Sequence, residues 1–286
     1  MEVENNVAAE ILQGLTRHIN CLSELNRATK KRAIENIRKE TVGKKPSLDP
    51  AVLQQVFDHV KKPLLKCFTD PVEKCRELSI QLVSDFMDVV PSPEESLPYL
   101  IPSIQQRLGN QDLIETSEEL RLAQIELLLK TIQQTGKKIA PFLDDLIKIL
   151  ERTIVDPFSD VRKESCKCTC LIARSIPEHF HLQSETLIKP LLHTISHQHS
   201  KVRVQCVYTI GDVLQYGNHK AMEHVISHLA QRLFDHSPQV RQAVTDVVGG
   251  WLLDFIDRYS FHHKLIPLLL TNQMDELPDI RQKVIL

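Results

Sequence analysis

Apolar residues recur along most of this chain at the three- and four-residue spacing of one helix face. The clearest stripe consists of Val240, Val244, Val247, Val248 and Trp251. Long alternation of polar with β-branched or aromatic residues, which would indicate strands, is missing. Glycine accounts for only 8 of 286 residues and apolar residues for 42%. The pattern predicts an all-α protein with enough apolar surface for a continuous core.

The predicted helices form pairs joined by short polar turns. A single helix pair cannot bury its apolar face alone, so neighbouring pairs must stack. We predict these pairs: Val7–Asn20 with Leu25–Thr41, Pro50–Phe68 with Val72–Val90, Ser96–Leu108 with Ser117–Thr135, Lys137–Val155 with Phe158–Ser175, Leu182–Ser196 with Ser200–Tyr216, His219–Phe234 with Ser237–Asp257, and a seventh beginning at Ser260. We expect residues 1–286 to form a single array of about six complete repeats and a truncated seventh.

Arginines recur near the start of the second helix of each pair. They follow one another at intervals of 44, 45, 41, 41, 38 and 40 residues: Arg32, Arg76, Arg121, Arg162, Arg203, Arg241 and Arg281. A period of about 40–47 residues built from helix pairs is typical of HEAT and armadillo arrays. The spacing therefore predicts a HEAT-repeat α-solenoid, a right-handed superhelix of antiparallel helix pairs. The apolar residues Val284, Ile285 and Leu286 end the sequence, which therefore reads as truncated.

A polar turn residue precedes each of these arginines by six positions. It is an aspartate in four repeats, and Asn26, Glu115 or His197 in the other three. Each arginine lies beside the apolar stripe, where its guanidinium can reach the aspartate of its own repeat or of the next one. We predict a structural ladder of partly buried charges: Asp70, Arg76, Asp156, Arg162, Arg203, Asp235, Arg241, Asp275 and Arg281. A row of arginines that binds phosphate is the alternative.

Charge and composition narrow the class of partners. The net charge of −2 and the isoelectric point near 6.7 argue against a dedicated nucleic-acid binder. The basic stretch Arg27–Lys45 could act as a nuclear-import signal or an anion-binding edge, and a solvated outer helix is the interpretation we favour. No run of 18 apolar residues predicts a membrane span. The acidic start, without a secretory signal, and seven cysteines without framework spacing indicate a reducing compartment, cytosolic or nuclear.

Three clusters could carry chemistry. Cys166, Cys168 and Cys170 are possible zinc ligands, but alternate positions on one helix point apart, so we predict packing. Gly249 and Gly250 either admit an adjacent helix or present Trp251 to a partner, with core packing of the tryptophan preferred. Five histidines could form a pH-sensitive or metal site, although we expect surface turns: His179, His181, His193, His197 and His199. No motif of an enzyme is present, and we predict no catalytic activity, cofactor or metal.

Several segments resemble the HEAT-repeat dynein axonemal assembly factors: Glu178–Glu185, Thr194–His199, Ser227–Asp235, Val247–Leu253, Asp257–Ser260 and Lys264–Leu270. The resemblance is strong from Asp156 to Arg281 and generic before Leu120. It implies the N-terminal portion of a longer cytoplasmic array, a non-catalytic scaffold or co-chaperone in the preassembly of dynein arms for motile cilia. The implied partners are axonemal dynein intermediate or heavy chains, other dynein assembly factors and chaperones.

The repeat pattern alone fits a second class of function equally well. HEAT arrays also serve as transport carriers and as regulatory scaffolds of the phosphatase type. Only the resemblance favours the dynein assembly role over that alternative. Neither class requires nucleic acid or a membrane as a partner.

Overall fold

Helices account for nearly all of the regular structure. The computed structural model describes residues 2–285, with side chains described for residues 6–284, so the side chains of Ile285 and Leu286 lie outside the described part. No strand occurs in this range. The helices are α1 (Glu2–Cys21), α2 (Arg27–Glu40), α3 (Pro50–Lys66), α4 (Glu73–Val89), α5 (Leu97–Leu108), α6 (Glu118–Thr135), α7 (Leu143–Thr153), α8 (Ser159–Ser175), α9 (Pro177–Phe180), α10 (Ile188–Thr194), α11 (Ser200–Tyr216), α12 (Met222–Arg232), α13 (Pro238–Asp254), α14 (Arg258–Asn272) and α15 (Pro278–Ile285).

The chain divides into two compact units, residues 1–146 and 147–286, and α7 contains the boundary. That residues 1–286 form one array, and that the array coils with a right hand, therefore stay predictions. None of the helices in the described range has the length and apolar character that crossing a membrane requires.

The first unit is a stack of helix pairs in two layers. The first helices of successive pairs contact one another, α1 with α3 and α3 with α5, and so do the second helices, α2 with α4 and α4 with α6. Phe57 of α3 and Phe86 of α4 are both fully buried and stack with their ring centroids 4.8 Å apart. Each pair thus buries its apolar stripe against its neighbours, as stacked repeats require.

The second unit repeats this arrangement. Helix α8 packs on α11, α11 on α13 and α13 on α15, while α10 contacts α12 and α12 contacts α14. Trp251 is its largest buried side chain and is only 1% exposed, and its indole N–H donates to the carbonyl of Gly211 at 3.2 Å. The preferred interpretation of Trp251 as a core residue agrees with this position.

Local sequence explains where the helices begin. Asn26 caps α2 by accepting hydrogen bonds from the N–H groups of Ala28 and Thr29 at 2.9 and 3.1 Å. Asp49 caps α3, in which Pro50 occupies the first position, where its missing N–H costs nothing. The periodic apolar stripe thus predicts that a segment is helical, and a polar capping residue determines where the helix begins.

Three predicted first helices are shorter than expected. Tight 3₁₀ segments replace their beginnings: Gly136–Phe142 before α7, Ser184–Leu187 before α10 and His219–Ala221 before α12. In the first case Gly136 adopts a φ of 52°, and Pro141 has no N–H to bond the carbonyl of Lys137, which disfavours a regular helix that starts at Lys137. The short helix α9, which begins at Pro177, was not predicted.

Candidate functional site: charged residues between repeats

The turn residue of each repeat folds back onto its own backbone. The carboxylate of Asp70 accepts a hydrogen bond from the N–H of Val72 at 2.8 Å, and that of Asp235 accepts one from Ser237 at 2.9 Å. Asp156, Asp275 and Glu115 make the same bond to the residue two positions on. These are Asx-type turns, which end one connection and aim the chain into the second helix.

The ladder arginines bind the same turns from inside the second helix. Nη1 of Arg76 donates to the carbonyl of Asp70 at 2.9 Å, and Nη1 of Arg241 donates to the carbonyl of Asp235 at 2.8 Å. Each arginine thereby satisfies a backbone acceptor of its own repeat. Arg121, Arg203 and Arg281 make the same bond through Nη1, and Arg162 donates to the carbonyl of Asp156 through Nε.

The rest of the guanidinium reaches the following repeat. Arg203 binds Asp235 through Nε and Nη2 at 2.8 and 2.6 Å, and Arg241 binds Asp275 at 2.6 and 3.1 Å. Such bidentate pairs fix both distance and orientation. The sequence leaves open whether the arginine reaches its own aspartate or the next one. In the structure Arg203 and Arg241 donate both to the backbone carbonyl of their own turn and to the carboxylate of the next repeat.

The ladder changes character where the acidic residue is missing. The repeat after Arg162 has His197 in the turn, and Arg162 instead makes a long contact of 3.4 Å to the hydroxyl of Thr194. Burial lowers the pKa of the Arg162 guanidinium, with nearby Asp156 acting in the opposite direction. His197 still performs the turn function, because its Nδ1 lies 3.1 Å from the N–H of His199.

In the first repeat a lysine takes the place predicted for Arg32. Arg32 lies exposed on α2, whereas the ammonium group of Lys30 pairs with the buried carboxylate of Asp70. In the other repeats the arginine comes four residues after the helix cap, and Asn26 caps α2, so the equivalent position is Lys30. The six-residue spacing from Asn26 to Arg32 was therefore misleading, and the cap position is the signal that identifies Lys30.

Glu115 is the most buried charge of the ladder, although it was left out of the predicted set. Its carboxylate is fully buried and binds Nε and Nη2 of Arg76 at 2.7 and 2.8 Å and Nη2 of Arg107 at 2.7 Å. Burial alone would raise the pKa of Glu115, but the hydrogen bonds from the two arginines outweigh it and the pKa is lowered. Its position six residues before Arg121 was the available signal.

The aspartates of the second unit are held ionised in the same way. Burial would raise the pKa of Asp235, and the hydrogen bond from Arg203 together with the N–H of Ser237 lowers it below the usual value. For Asp275 the hydrogen bond from Arg241 is the largest effect, and its pKa is also lowered. These ionised carboxylates join neighbouring repeats, and they occupy the Nε and Nη2 donors of Arg203 and Arg241 that a bound anion would need.

A second row of polar contacts joins the second helices. Lys130 of α6 binds Asp88 of α4 at 2.8 Å, and Arg174 of α8 binds Asp212 of α11 at 2.9 Å. Asp88 and Arg174 each lie twelve positions after the ladder arginine of their own helix, and Lys130 and Asp212 each lie nine positions after theirs. The two pairs therefore occupy the same register, with the positive and negative residues exchanged. We did not predict this row, although opposite charges in matching registers could have revealed it.

The same face carries two further contacts between repeats in the second unit. Asp246 of α13 accepts hydrogen bonds from the hydroxyl of Tyr208 at 2.8 Å and from Lys283 at 2.7 Å. Burial and this carboxylate raise the pKa of Tyr208 to about 12. The second helices therefore present polar side chains that are already engaged with one another.

The cysteine cluster is part of the core. Cys166 and Cys168 are fully buried and Cys170 is half-buried, and all three are free thiols. Burial raises the pKa of Cys168 and of Cys170 well above the usual value. Among the described side chains, no three His, Cys, Asp or Glu residues come together as a metal site. The geometry is that of packing, which agrees with the preferred interpretation.

Gly249 and Gly250 do not make room for an adjacent helix, which was one of the two roles considered for them. A Cβ atom added at Gly249 or Gly250 would meet no atom within 4 Å. Close packing is found instead at Gly211 of α11, where a Cβ would lie 2.9 Å from a methyl group of Val247. The adjacent helix therefore approaches at Gly211, and Gly249 and Gly250 face open space.

Comparison with known proteins places the chain in a family. Residues 21–285 match the family described as "Dynein axonemal assembly factor 5-like, TPR repeats". A protein named dynein axonemal assembly factor 5 from Xenopus laevis is 57% identical over 98% of this chain, and that from Homo sapiens is 44% identical over 98%. The chain spans 33% of the length of both relatives.

Solved structures show the fold class. An engineered protein matches 98% of this chain with a TM-score of 0.61 and 11% identity, covering 69% of that protein. A designed armadillo repeat protein matches 82% with a TM-score of 0.55 and 15% identity, covering 98% of that protein. The fold is thus an all-α repeat solenoid, and its period is longer than the TPR unit of about 34 residues. With a family match over most of its length and close relatives throughout, the chain belongs to the dynein axonemal assembly factor 5-like family.

Proposed function

We propose that this chain is part of a non-catalytic, protein-binding scaffold for the cytoplasmic preassembly of axonemal dynein arms. The observation that carries the proposal is the 57% identity over 98% of the chain to a protein named dynein axonemal assembly factor 5. Axonemal dynein intermediate or heavy chains, other assembly factors and chaperones are the proposed partners. Because the chain spans a third of such relatives, partners could also contact other parts of the protein.

The architecture supports binding through an extended surface. Repeat solenoids expose long rows of side chains and bind partners over several repeats. The buried ladder of arginines and carboxylates suits a structural role in this scheme, because it fixes how one repeat meets the next. We propose that Asp70, Arg76, Asp156, Arg162, Arg203, Asp235, Arg241, Asp275 and Arg281 set the geometry of the scaffold and contact no partner.

Removal of the full-length protein from cells that build motile cilia tests the role. We expect cilia to form without dynein arms, with dynein heavy and intermediate chains unstable in the cytoplasm. Affinity purification of the tagged protein from the same cells should recover dynein subunits together with chaperones. Normal dynein arms, or recovery of transport cargo and a small GTPase or of a phosphatase, would favour the carrier or regulatory-scaffold alternative.

A further inference from the structure

Two grooves flank the outer face of α3 in the first unit and share one wall. The larger, about 560 Å³, lies between α3 and the turn that joins α1 to α2. The smaller, about 330 Å³, lies between α3 and α5. Lys62, Lys66 and Thr69 line both grooves, so they form the ridge between them. We call these three residues the α3 ridge.

The two lysines of the α3 ridge form no ion pair with a described carboxylate. Lys62 and Lys66 are exposed, and among the described residues no carboxylate oxygen lies within 4.0 Å of either ammonium group. The neighbouring Lys61 is different: it is buried, binds Asp58 at 2.6 Å and donates to the carbonyl of Glu95 at 3.2 Å. The fold therefore pairs the buried lysine of α3 and leaves two cations facing the grooves.

The wall opposite the ridge offers apolar surface and a backbone acceptor. Tyr99 is 39% exposed, and the Nζ atom of Lys62 lies 4.5 Å from the centre of its ring. Pro98 and Pro102 line the same groove, and Pro102 has no N–H to donate to the carbonyl of Pro98 in α5. An extended peptide can supply both an N–H donor and an apolar side chain to such a wall.

A related groove occurs in the second unit. It measures about 540 Å³ and lies between α7 and α10, and its charged or titratable lining residues are Glu151, Arg152, Lys189 and His193. Lys189 and His193 lie eight and four positions before the turn residue His197, the register that the two ridge lysines have before Asp70. Each unit therefore has a groove lined by basic side chains of a first helix in this register.

We propose that the α3 ridge and its two grooves dock an extended acidic segment of a partner protein. Carboxylates of the segment pair with Lys62 and Lys66, and an apolar side chain packs against Tyr99. The inference builds on the proposed scaffold role, because it assigns the chemistry by which the scaffold holds a partner. The occupant is argued from the local surface, because two exposed lysines beside the ring of Tyr99 fit carboxylates and an apolar side chain of one peptide.

Fluorescence anisotropy with purified protein tests this proposal separately from any role in cilia. The probe is a short fluorescein-labelled peptide of glutamate, aspartate and leucine, measured at low and at physiological salt. The wild-type protein should bind it, and the double substitution K62E/K66E should weaken binding roughly tenfold, as the loss of two ion pairs implies. Tyr99→Ala, made in the wild-type background, should also weaken binding of the peptide, whereas Tyr99→Phe should retain the wild-type affinity.

The substitution K39E/K44E is the matched control, because it makes the same charge change in the last turn of α2 and the connection after it, outside both grooves. It should leave peptide affinity within about twofold of the wild-type value, since screening weakens charges beyond roughly 10 Å. Carbodiimide cross-linking of the peptide to wild-type protein should label Lys62 or Lys66, which requires no variant to fold. Equal loss in both double variants, no binding of the peptide, or preference for single-stranded RNA would each overturn the proposal.

Discussion

Arg76, Arg203 and Arg241 each divide their donor groups between a backbone carbonyl of their own turn and the carboxylate of the next repeat. In Arg241, Nη1 serves the carbonyl of Asp235, while Nε and Nη2 hold both oxygens of Asp275. A lysine offers one ammonium group and cannot form this planar fork. The arrangement explains why six of the seven repeats place arginine at this position and why the pairing links a repeat to its successor.

Arg241→Ala should destabilise the protein by roughly 1–3 kcal/mol, because it leaves the largely buried carboxylate of Asp275 without its bidentate partner. Lys44→Ala removes a positive charge from the connection between α2 and α3 and should change stability by less than about 0.5 kcal/mol. Chemical denaturation followed by circular dichroism measures both changes. Equal losses in the two variants would contradict a structural ladder.

The first repeat provides a test within a single helix. Lys30→Ala should cost roughly 1–3 kcal/mol, because Asp70 is buried and Lys30 is its cationic partner. Arg32→Ala, two residues further along α2, should have little effect because Arg32 is exposed. Thermal unfolding of the two variants decides which residue belongs to the ladder, and a larger loss for Arg32→Ala would restore the register expected from spacing.

At the scale of helices, the glycines of α11 and α13 have opposite roles. Gly249 and Gly250 lie inside α13 with open space where a side chain would be, so alanine there should stabilise the helix by about 1 kcal/mol per position. Gly211→Ala in α11 should destabilise the protein, because its new methyl group would press on the stiff side chain of Val247. Thermal unfolding distinguishes the two cases, and a loss of stability at Gly249 would reveal a packing partner that the open space does not suggest.

The contacts between turns and helices also give the fold a pH dependence. The pKa of Asp235 is lowered in the folded protein, so this carboxylate binds a proton less readily in the folded state than in the unfolded state. Its stabilising contribution is therefore fully present above the unfolded pKa of about 4 and is lost as the pH falls through the folded pKa. We expect Asp235→Asn to lower the melting temperature at neutral pH and to approach the wild-type value under acidic conditions.

The exposed Glu126 on α6 provides a control for this pH effect. Glu126→Gln removes one carboxylate and should leave both the melting temperature and its pH profile nearly unchanged. Melting curves recorded by circular dichroism across the acidic range test both variants. If the difference in melting temperature between Asp235→Asn and wild type stays constant down to strongly acidic pH, the ion pair with Arg203 does not account for the stabilising effect of Asp235.

At the scale of the whole molecule, binding by an extended surface predicts a contrast between small and large changes. Single surface substitutions should each weaken partner binding modestly, whereas removal of the pair Leu182–Tyr216 should abolish it, because every later repeat would then meet the wrong neighbour. Both deletions are made in the chain of residues 1–286, and removal of residues 258–286 is the control, since it leaves the stacking among all earlier pairs intact. Coprecipitation of dynein subunits measures the effect, and full binding by the 182–216 deletion would contradict a surface spread over several repeats.

The sequence alone determines the helical class, the repeat period and most helix positions. These features depend on residues a few positions apart, such as the stripe from Val240 to Trp251 and the turn at Asp235, and local spacing is visible in the chain itself. Family resemblance is likewise present in the sequence. The ladder of aspartates and arginines could therefore be proposed from the sequence, and Lys30 and Glu115 were not in the proposed set.

Tertiary structure decides which of these residues meet. Arg76 and Glu115 are 39 residues apart, and their contact depends on the phase of two helices that no local pattern specifies. The cap at Asn26 shifts α2 by two residues and brings Lys30 to the ladder, and the approach of Val247 to Gly211 leaves Gly249 open. The uncompensated lysines of α3 likewise emerge only when the carboxylates around them are placed. Sequence spacing determines which side chains a helix presents, and packing between repeats determines what each of them contacts.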